Sequence, residues 1–134
     1  MDYKITIINS EKFYDKKLEN ENINIINFKN KDDSIIKIYD DHNIFILPSY
    51  TEGHPQVLDE SLSRMRPVII FPEISHVIRK REGIIISERN ANSLKDKIEY
   101  IKKEYTLIQK KMINNQLPIK SDFIEDLFKI LNQD

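Results

Sequence analysis

The stretch that decides the fold runs from Pro48 to Pro67 and reads PSYTEGHPQVLDESLSRMRP. Just before it, Ile44 to Leu47 form a short apolar run of the kind that becomes a buried parallel strand. Pro55 suits the first turn of a helix, where its missing N–H needs no partner. The stretch therefore predicts a strand, a loop and a helix. Open parallel sheets bind their ligands at the carboxyl end of a strand, which is where this loop begins.

The helix after the loop combines an apolar stripe with a carboxylate. Four positions at helical spacing predict the side that packs on the sheet: Leu58, Ser61, Leu62 and Met65. Glu60 lies on another side of the helix, and Glu52 lies in the loop before it. We expect Glu60 to be partly buried near the helix start, where the helix dipole favours its charge. Both carboxylates are expected to face one cleft beyond the third strand.

The rest of the chain alternates strand-like apolar runs with helical runs. The further predicted elements are the strands Ile5–Ile8, Ile23–Phe28, Val68–Phe71 and Ile84–Ile86, a weak helix Glu11–Glu19, a helix Asp33–Asp40 and a short helix near Ser75–Lys80. Alternating units of this length predict an α/β fold. We expect a Rossmann-like, doubly wound parallel sheet of about five strands in the order 2-1-3-4-5, with C-terminal helices.

Two helices are expected after the last strand. Asn90 and Asn92 are good N-caps for the first, on which apolar residues recur every three or four positions as far as Ile108. The second starts near Ser121 or Asp122. Its expected buried residues are Phe123, Ile124, Leu127, Phe128 and Leu131.

The central stretch resembles the Glu-x7-Glu signature of retaining glycosyltransferases with the GT-B fold, most closely glycosyltransferase family four. The run Ile44–Ser49 looks like the family's strand that ends in Pro-Ser. The run Glu52–Pro55 looks like its Glu-Gly-x-Pro loop, and Arg66–Ile69 looks like the strand after the signature helix. These matches stand in register over about twenty residues, in the strand-loop-helix context that such a motif requires.

The resemblance implies a site for a nucleotide sugar. In the family, the first Glu contacts hydroxyls of the donor sugar and the second holds the ribose hydroxyls. Glu52 is therefore the expected catalytic residue and Glu60 a donor-binding residue, since ionised carboxylates accept strong hydrogen bonds from hydroxyls. The other expected donor-binding residues are Gly53, His54, Pro55, Gln56 and Val57.

The resemblance covers the chain from about Ile44 to the C-terminus, with a fainter match before it. A chain of 134 residues predicts one domain. We expect residues 1–134 to form a single, partial GT-B donor-binding domain without the acceptor domain. The family's opening strand has no counterpart here. Either the first strand pairs directly with the third, or another polypeptide supplies the missing strand.

Two departures from the family concern the site and its helix. The basic pair that binds the diphosphate in the family, from a Gly-Arg and a Lys-Gly, is absent. The candidates to replace it are Arg64, Arg66, Arg79, Lys80, Arg81 and Arg89, because guanidinium binds phosphate bidentately. In the last turn of the signature helix, the Gly expected from the family is Met65.

Composition narrows the remaining classes. With 21 basic and 22 acidic residues, the chain has a net charge of −1 and no electrostatic case for nucleic acid. No apolar run reaches the roughly 18 residues of a membrane span, and the start lacks a signal-peptide pattern. We therefore expect a cytoplasmic protein. Attachment to the inner face of the membrane is left open by four basic residues of the long helix: Lys102, Lys103, Lys110 and Lys111.

The chain has no Cys, which excludes disulfides and thiolate metal sites. Its three His have no metal-ligand spacing, and GT-B enzymes as a class need no bound metal. We expect no metal and no cofactor other than the nucleotide-diphosphate sugar that serves as donor substrate.

Two functions remain open at this point. The first is a nucleotide-sugar-binding domain for retaining hexosyl transfer in polysaccharide or glycolipid synthesis, completed by a partner chain or an acceptor domain. The second is a non-catalytic interaction module that keeps the fold, and a second copy of the chain is also left open as a partner. Glu52, Gly53, Pro55 and Glu60 favour the first, since a core needs none of them. The missing strand and basic pair favour the second.

Overall fold

The computed structural model of the chain describes residues 3–9, 21–27 and 34–131. The chain divides into two compact units, Met1–Lys37 and Ile38–Asp134. The predicted helix Glu11–Glu19 lies outside the described residues.

The first unit contains a two-stranded parallel sheet. Strand β1 is Ile5–Asn9 and strand β2 is Ile23–Asn27. They pair in register, with Ile5 opposite Ile23 at one end of the ladder. Both strands are rich in isoleucine, whose β-branched side chain fits a pleated surface. The two predicted strands are confirmed to within a residue at each end.

The second unit contains a three-stranded parallel sheet with helices before, between and after its strands. The strands are β3 Phe45–Ile46, β4 Val68–Ile70 and β5 Ile84–Ile86. The helices are α1 Ser34–Asp41, which begins in the first unit, α2 Gln56–Ser63, a 3-10 helix Pro72–Ile78, α3 Ala91–Met112 and α4 Lys120–Leu131. Strand β4 pairs with β3 on one side and β5 on the other. The α/β fold with parallel strands is confirmed.

The predicted strand order is realised in two pieces. The described strands form one sheet of β1 and β2 and another in the order β3, β4, β5, rather than one continuous sheet 2-1-3-4-5. Strand β3 has two residues, Phe45 and Ile46, and both pair with β4. Apolar runs in a sequence identify strands, but the neighbour of each strand depends on hydrogen bonds between distant segments.

The core of the second unit lies around β4. All three residues of this strand are fully buried, as expected for a central parallel strand covered on both faces. Leu58 and Leu62 of α2 and Ile101 of α3 contribute to the same core. Each fully buried side chain of this size contributes about 1.5–3 kcal/mol to folding. The predicted buried stripe of α2 is thus confirmed for Leu58, Leu62 and Ser61.

The ends of α2 and α3 follow local rules. Asn90 is the N-cap of α3, and its side chain accepts a hydrogen bond of 2.9 Å from the Ser93 N–H. Helix α2 ends in a Schellman motif, in which the N–H of Met65 bonds to Leu62 and the N–H of Arg66 bonds to Ser61. This motif requires a left-handed residue after the helix, and Met65 has a φ of 58°.

The prediction that the last helix buries its apolar side is wrong. Helix α4 forms as expected, but Leu127, Phe128 and Leu131 are 43%, 61% and 69% exposed. Ile124 is exposed as well, and the side chain of Phe123 lies outside the described ones. Helical spacing of apolar residues predicts an amphipathic helix, but a buried face also needs a partner surface.

Among the described residues, no helix combines the length and the apolar character needed to cross a membrane.

Candidate functional site

The segment Pro48–Pro55, called the signature loop here, connects β3 to α2. Just before it, the N–H of Leu47 donates to the carbonyl of Ile69, which extends the pairing of β3 with β4. The loop therefore leaves the sheet at the carboxyl ends of its strands, where parallel sheets bind ligands. Pro55 is the N-cap of α2 and is buried, so the helix begins one residue later than predicted.

Glu52 is half-buried in the signature loop and is held at two points. Its carboxylate oxygen Oε1 accepts a hydrogen bond of 2.6 Å from the hydroxyl of Ser49. Its backbone carbonyl accepts a hydrogen bond of 2.7 Å from Nε2 of His76, which therefore carries the proton on that nitrogen. His76 lies in the 3-10 helix after β4, so a second element of the sheet edge supports the loop.

Glu60 is the fifth residue of α2. It is exposed, so the expectation that it is partly buried is wrong. The hydroxyl of Tyr39, from α1, donates to Glu60 Oε2 at 3.2 Å and to the carbonyl of Val57 at 3.3 Å. Burial raises the pKa of Tyr39 well above its ordinary value, and the charge of Glu60 raises it further. Tyr39 is thus a neutral donor to Glu60.

The two carboxylates have partners on different elements. Those of Glu52 come from its own loop and from the segment after β4, whereas that of Glu60 comes from α1, before β3. No hydrogen bond joins them, directly or through a shared partner, among the described residues. The expectation that both face one cleft stays a prediction.

The other predicted donor-binding residues surround the start of α2. Gly53, His54 and Gln56 are exposed, and Val57 is half-buried. A Cβ added at Gly53 would have none of the described residues within 4 Å apart from its chain neighbours. The packing of the described part of the chain therefore does not require a glycine at this position.

His54 belongs to a charged cluster at the base of the loop. Its Nε2 lies 2.9 Å from Oδ2 of Asp59, whose other oxygen pairs with Nη1 of Arg81. The Arg81 side chain is only 7% exposed and also donates to the carbonyls of Val77 and Ile78. Arg81 is therefore occupied by the protein itself, since a buried guanidinium needs acceptors for its donors.

Two more of the candidate basic residues are also used internally. Arg66 donates to the carbonyls of Tyr39 and Asp40, each at 3.0 Å. Arg64 makes a bidentate pair with the carboxylate of Asp40. Both connect the end of α2 to α1. Arg79 and Lys80 are exposed.

Arg89 is the candidate basic residue that lies against the signature loop. Its guanidinium donates to the carbonyls of Pro48 and Ser49 at 3.0 and 3.1 Å. It also makes a bidentate pair with Glu73, with bonds of 3.2 and 3.1 Å. This hydrogen bonding lowers the pKa of Glu73 and raises the pKa of Arg89. The sequence pointed to Arg89 only as one of six basic residues near the sheet edge.

Sequence reasoning missed three partners of the signature carboxylates: Ser49, His76 and Tyr39. Ser49 alone had a local signal, because a Ser three residues before a carboxylate is within reach of a side-chain hydrogen bond. His76 and Tyr39 lie 24 and 21 positions from their Glu partners. Only the folded chain brings them together.

A parallel α/β sheet with a loop at the carboxyl ends of its strands is the arrangement in which open α/β proteins bind their ligands. The chain belongs to the family described as glycosyl transferases group 1, whose sequence model matches residues 9–117. It is therefore a glycosyltransferase domain. A search among curated proteins and a search among solved structures each found no match.

Proposed function

We propose that this chain is the donor-binding part of a retaining glycosyltransferase with the GT-B fold, and that a nucleotide-diphosphate sugar binds at the signature loop. Glu52 accepts hydrogen bonds from hydroxyls of the transferred hexosyl group, and Glu60 accepts them from the ribose. Gly53, His54, Pro55, Gln56 and Val57 form the surrounding surface. The assignment of roles follows the resemblance of the signature stretch.

The observation that carries the proposal is the setting of Glu52. Glu52 stands in an open loop and is held at two points. Ser49 donates to its carboxylate, and His76 donates to its backbone carbonyl. Among the described residues, hydrogen bonds reach only its Oε1 oxygen. Oε2 is then left to accept a hydroxyl hydrogen bond from a sugar, and a bond to an ionised carboxylate is of the stronger kind.

Gly53 and His54 support a diphosphate next to Glu52. A ligand can approach the Gly53 backbone closely because no side chain stands there. His54 is held through Nε2 by Asp59, so its Nδ1 can donate to a phosphate when the ring is protonated. This donor would replace part of the missing basic pair. We expect no metal ion to be needed.

Calorimetry with UDP, GDP and ADP and their hexose conjugates tests the proposal. We expect weak binding, on the order of millimolar, because a donor-binding domain alone encloses only part of its ligand. Glu60→Ala should weaken nucleotide and nucleotide sugar alike, whereas Glu52→Gln should weaken only the nucleotide sugar. Addition of EDTA should change neither affinity.

Glu125→Ala is the matched control, because Glu125 is an exposed carboxylate on α4. Its affinities should equal those of the wild type. Equal affinity in Glu60→Ala would remove Glu60 from the site, and no binding of any nucleotide sugar would contradict the proposal as a whole.

We further propose that the chain by itself transfers no sugar and that a partner chain or an acceptor domain completes the enzyme. Holding donor and acceptor together contributes up to about 7–11 kcal/mol to such reactions, and this contribution needs an acceptor site. Incubation of the purified chain with radiolabelled donors and a panel of sugar and lipid acceptors should yield no product. Transfer in the absence of any other polypeptide would refute the proposal.

A role in polysaccharide or glycolipid synthesis at the inner face of the membrane is supported by the basic part of α3. Lys102, Lys103, Lys110 and Lys111 are exposed there, although Lys102 pairs with Glu99 at 3.5 Å. Anionic lipid attracts such a surface. The chain should float with vesicles that contain phosphatidylglycerol and not with phosphatidylcholine vesicles, and equal flotation with both would contradict this role.

A second candidate function is the non-catalytic interaction module, and the exposed apolar side chains of α4 favour it. Three of them, Leu127, Phe128 and Leu131, recur at helical spacing on one side of the helix. Under this alternative, no nucleotide or nucleotide sugar binds, while Phe128→Asp disrupts an assembly that is detected by size-exclusion chromatography. Nucleotide-sugar binding that depends on Glu52 decides against it.

A further inference from the structure

We propose that Arg89 is a positioning residue, which fixes the signature loop and thereby aims the carboxylate of Glu52 at the sugar of the donor. This inference rests on the proposed function of Glu52. Arg89 precedes α3, at the carboxyl end of β5, while its partners follow β3 and β4. One side chain thus connects the carboxyl ends of all three strands of the sheet.

The in-plane donors of Arg89 are almost fully used by the protein. Nε and Nη2 donate to the two carboxylate oxygens of Glu73, while Nη1 and Nη2 donate to the carbonyls of Pro48 and Ser49. A guanidinium has five N–H donors in a fixed planar fork, and these four bonds leave one. The side chain is 26% exposed. Its hydrogen bonds are therefore directed to the loop and to Glu73 rather than to solvent.

Two aromatic rings also lie against the guanidinium. The carbon Cζ lies 3.8 Å from the ring centre of Tyr50 and 4.2 Å from that of Phe71. Phe71 is buried, whereas Tyr50 is 68% exposed. Stacking of a guanidinium on an aromatic ring is attractive, and here it orders an exposed ring of the signature loop. Arg89 thus restrains three consecutive loop residues, Pro48, Ser49 and Tyr50.

Ser49 links this restraint to Glu52. Its carbonyl accepts from Arg89 Nη2 at 3.1 Å, and its hydroxyl donates to Glu52 Oε1 at 2.6 Å. When the Arg89 bonds are lost, the Ser49 backbone is released and its hydroxyl no longer has a fixed direction. The carboxylate of Glu52 then samples several orientations, so a sugar that it must contact binds less well.

The test compares affinities for UDP and UDP-glucose, with the GDP and ADP pairs in parallel, on the full chain. The informative quantity is the sugar increment, the ratio of the dissociation constants of the bare nucleotide and its sugar conjugate. Arg89→Lys keeps the charge but loses the fork, so it should lower the sugar increment by about five- to tenfold. The affinity for the bare nucleotide should stay within about twofold of the wild type.

Two further variants establish the path through Ser49. Ser49→Ala should lower the sugar increment by a similar factor. The double variant Arg89→Lys with Glu52→Gln should bind no worse than Glu52→Gln alone, because residues in one network are not additive. Arg64→Lys is the matched control, since Arg64 also pairs bidentately with a carboxylate but does not contact the loop. Its sugar increment should be unchanged.

Equal loss of affinity for nucleotide and nucleotide sugar in Arg89→Lys would overturn the inference, because it would mean direct contact with the diphosphate or a general loss of structure. An unchanged sugar increment would overturn it as well. If Glu52→Gln itself leaves the sugar increment unchanged, the proposed function of Glu52 is what fails.

A measurement without ligand tests the restraint independently. The 15N order parameters of residues 49–53 should be near about 0.85 in the wild type and should fall in Arg89→Lys, toward about 0.6, but not in Arg64→Lys. Unchanged order parameters in Arg89→Lys would refute the positioning role, whatever the wild type binds.

Discussion

The two glycines of the chain lie at opposite ends of the same three-stranded sheet and have opposite relations to the protein around them. Gly83 precedes β5, is buried and has a φ of 87°. A Cβ at this position would lie 2.5 Å from Sδ of Met112. Gly53, beyond the carboxyl end of β3, is exposed and would accept a Cβ without contact among the described residues.

This difference separates a glycine that the packing requires from one that the described structure does not require. At the amino end of the sheet, the packing of α3 against β5 explains why residue 83 is a glycine. At the carboxyl end, nothing in the described structure requires residue 53 to be one. The hydrogen bonds around Gly53 hold Glu52 and the signature loop in place. A residue that the fold does not need is a candidate for contact with a ligand.

The largest expected effect is that of Gly83→Ala. Its cost combines a left-handed backbone, about 1–2 kcal/mol, with overpacking against Met112, about 1–3 kcal/mol. Because methionine is adaptable, we expect a destabilisation of about 2–3 kcal/mol in urea unfolding. In the double variant with Met112→Ala, part of the added cost should disappear, since the clash is gone while the φ remains. If Gly83→Ala unfolds at the same urea concentration as the wild type, the contrast between the two ends of the sheet does not hold.

Met65 provides an intermediate effect at the amino end of β4. It holds a left-handed position of a Schellman motif, where the resemblance implies a glycine, and it is half-buried. Met65→Gly should be more stable than Met65→Ala by about 1 kcal/mol, because both lose the side chain but only glycine removes the strain. Urea midpoints of the two variants measure this difference. The opposite ranking would mean that the strain at this position is negligible.

A smaller, pH-dependent effect on stability is expected for the pair of Arg89 and Glu73 at the carboxyl end of the sheet. Arg89 lowers the pKa of Glu73 in the folded protein. A lowered pKa means that the pair stabilises the fold above the unfolded pKa of about 4.3 and that this stabilisation is lost as the pH falls through the folded pKa. The urea midpoints of the wild type and Glu73→Gln should therefore differ slightly at pH 7 and converge in acid. A gap that widens in acid would contradict the pairing.

The smallest effect on stability is expected for Gly53→Ala, within about 0.5 kcal/mol of the wild type, because the added methyl group contacts none of the residues that the structure describes. Its affinity for nucleotide sugars should nevertheless fall, since in the proposed site the methyl group would stand where the diphosphate approaches. Ser121→Ala, an exposed change on α4, is the control for binding. If Gly53→Ala binds normally and is as stable as the wild type, the glycine has no role in the site.

Much of the fold could be predicted because it depends on residues that are close in the chain. The stripe of Leu58, Ser61 and Leu62 follows from helical spacing, and the cap at Asn90 needs only the N–H of Ser93. The signature loop was likewise found at the carboxyl end of a parallel strand. Its site residues stay predictions, which the binding experiments above test.

The partners of the site residues could not be predicted in the same way. Glu60 was expected to be partly buried but is exposed, and its contact with Tyr39 spans 21 positions. Arg89 reaches Glu73 across 16 positions and Pro48 across 41. Nothing in the sequence distinguishes one arginine from another. Only the fold shows that Arg66 and Arg81 bind other parts of the protein, whereas Arg89 binds the signature loop.

The sequence by itself determined the parallel α/β class, the family and the loop that carries Glu52, because apolar periodicity, helix caps and a motif are all read over short distances. Only the tertiary structure decided that the strands form two sheets, that α4 exposes its apolar side, and that Arg89 binds the loop. Each of these depends on which distant surfaces meet. Strand pairing, the burial of a helix face and the choice of a hydrogen-bond partner each depend on the difference in free energy between alternative contacts. Those contacts are made with segments far away in the chain, so the local sequence does not reveal them.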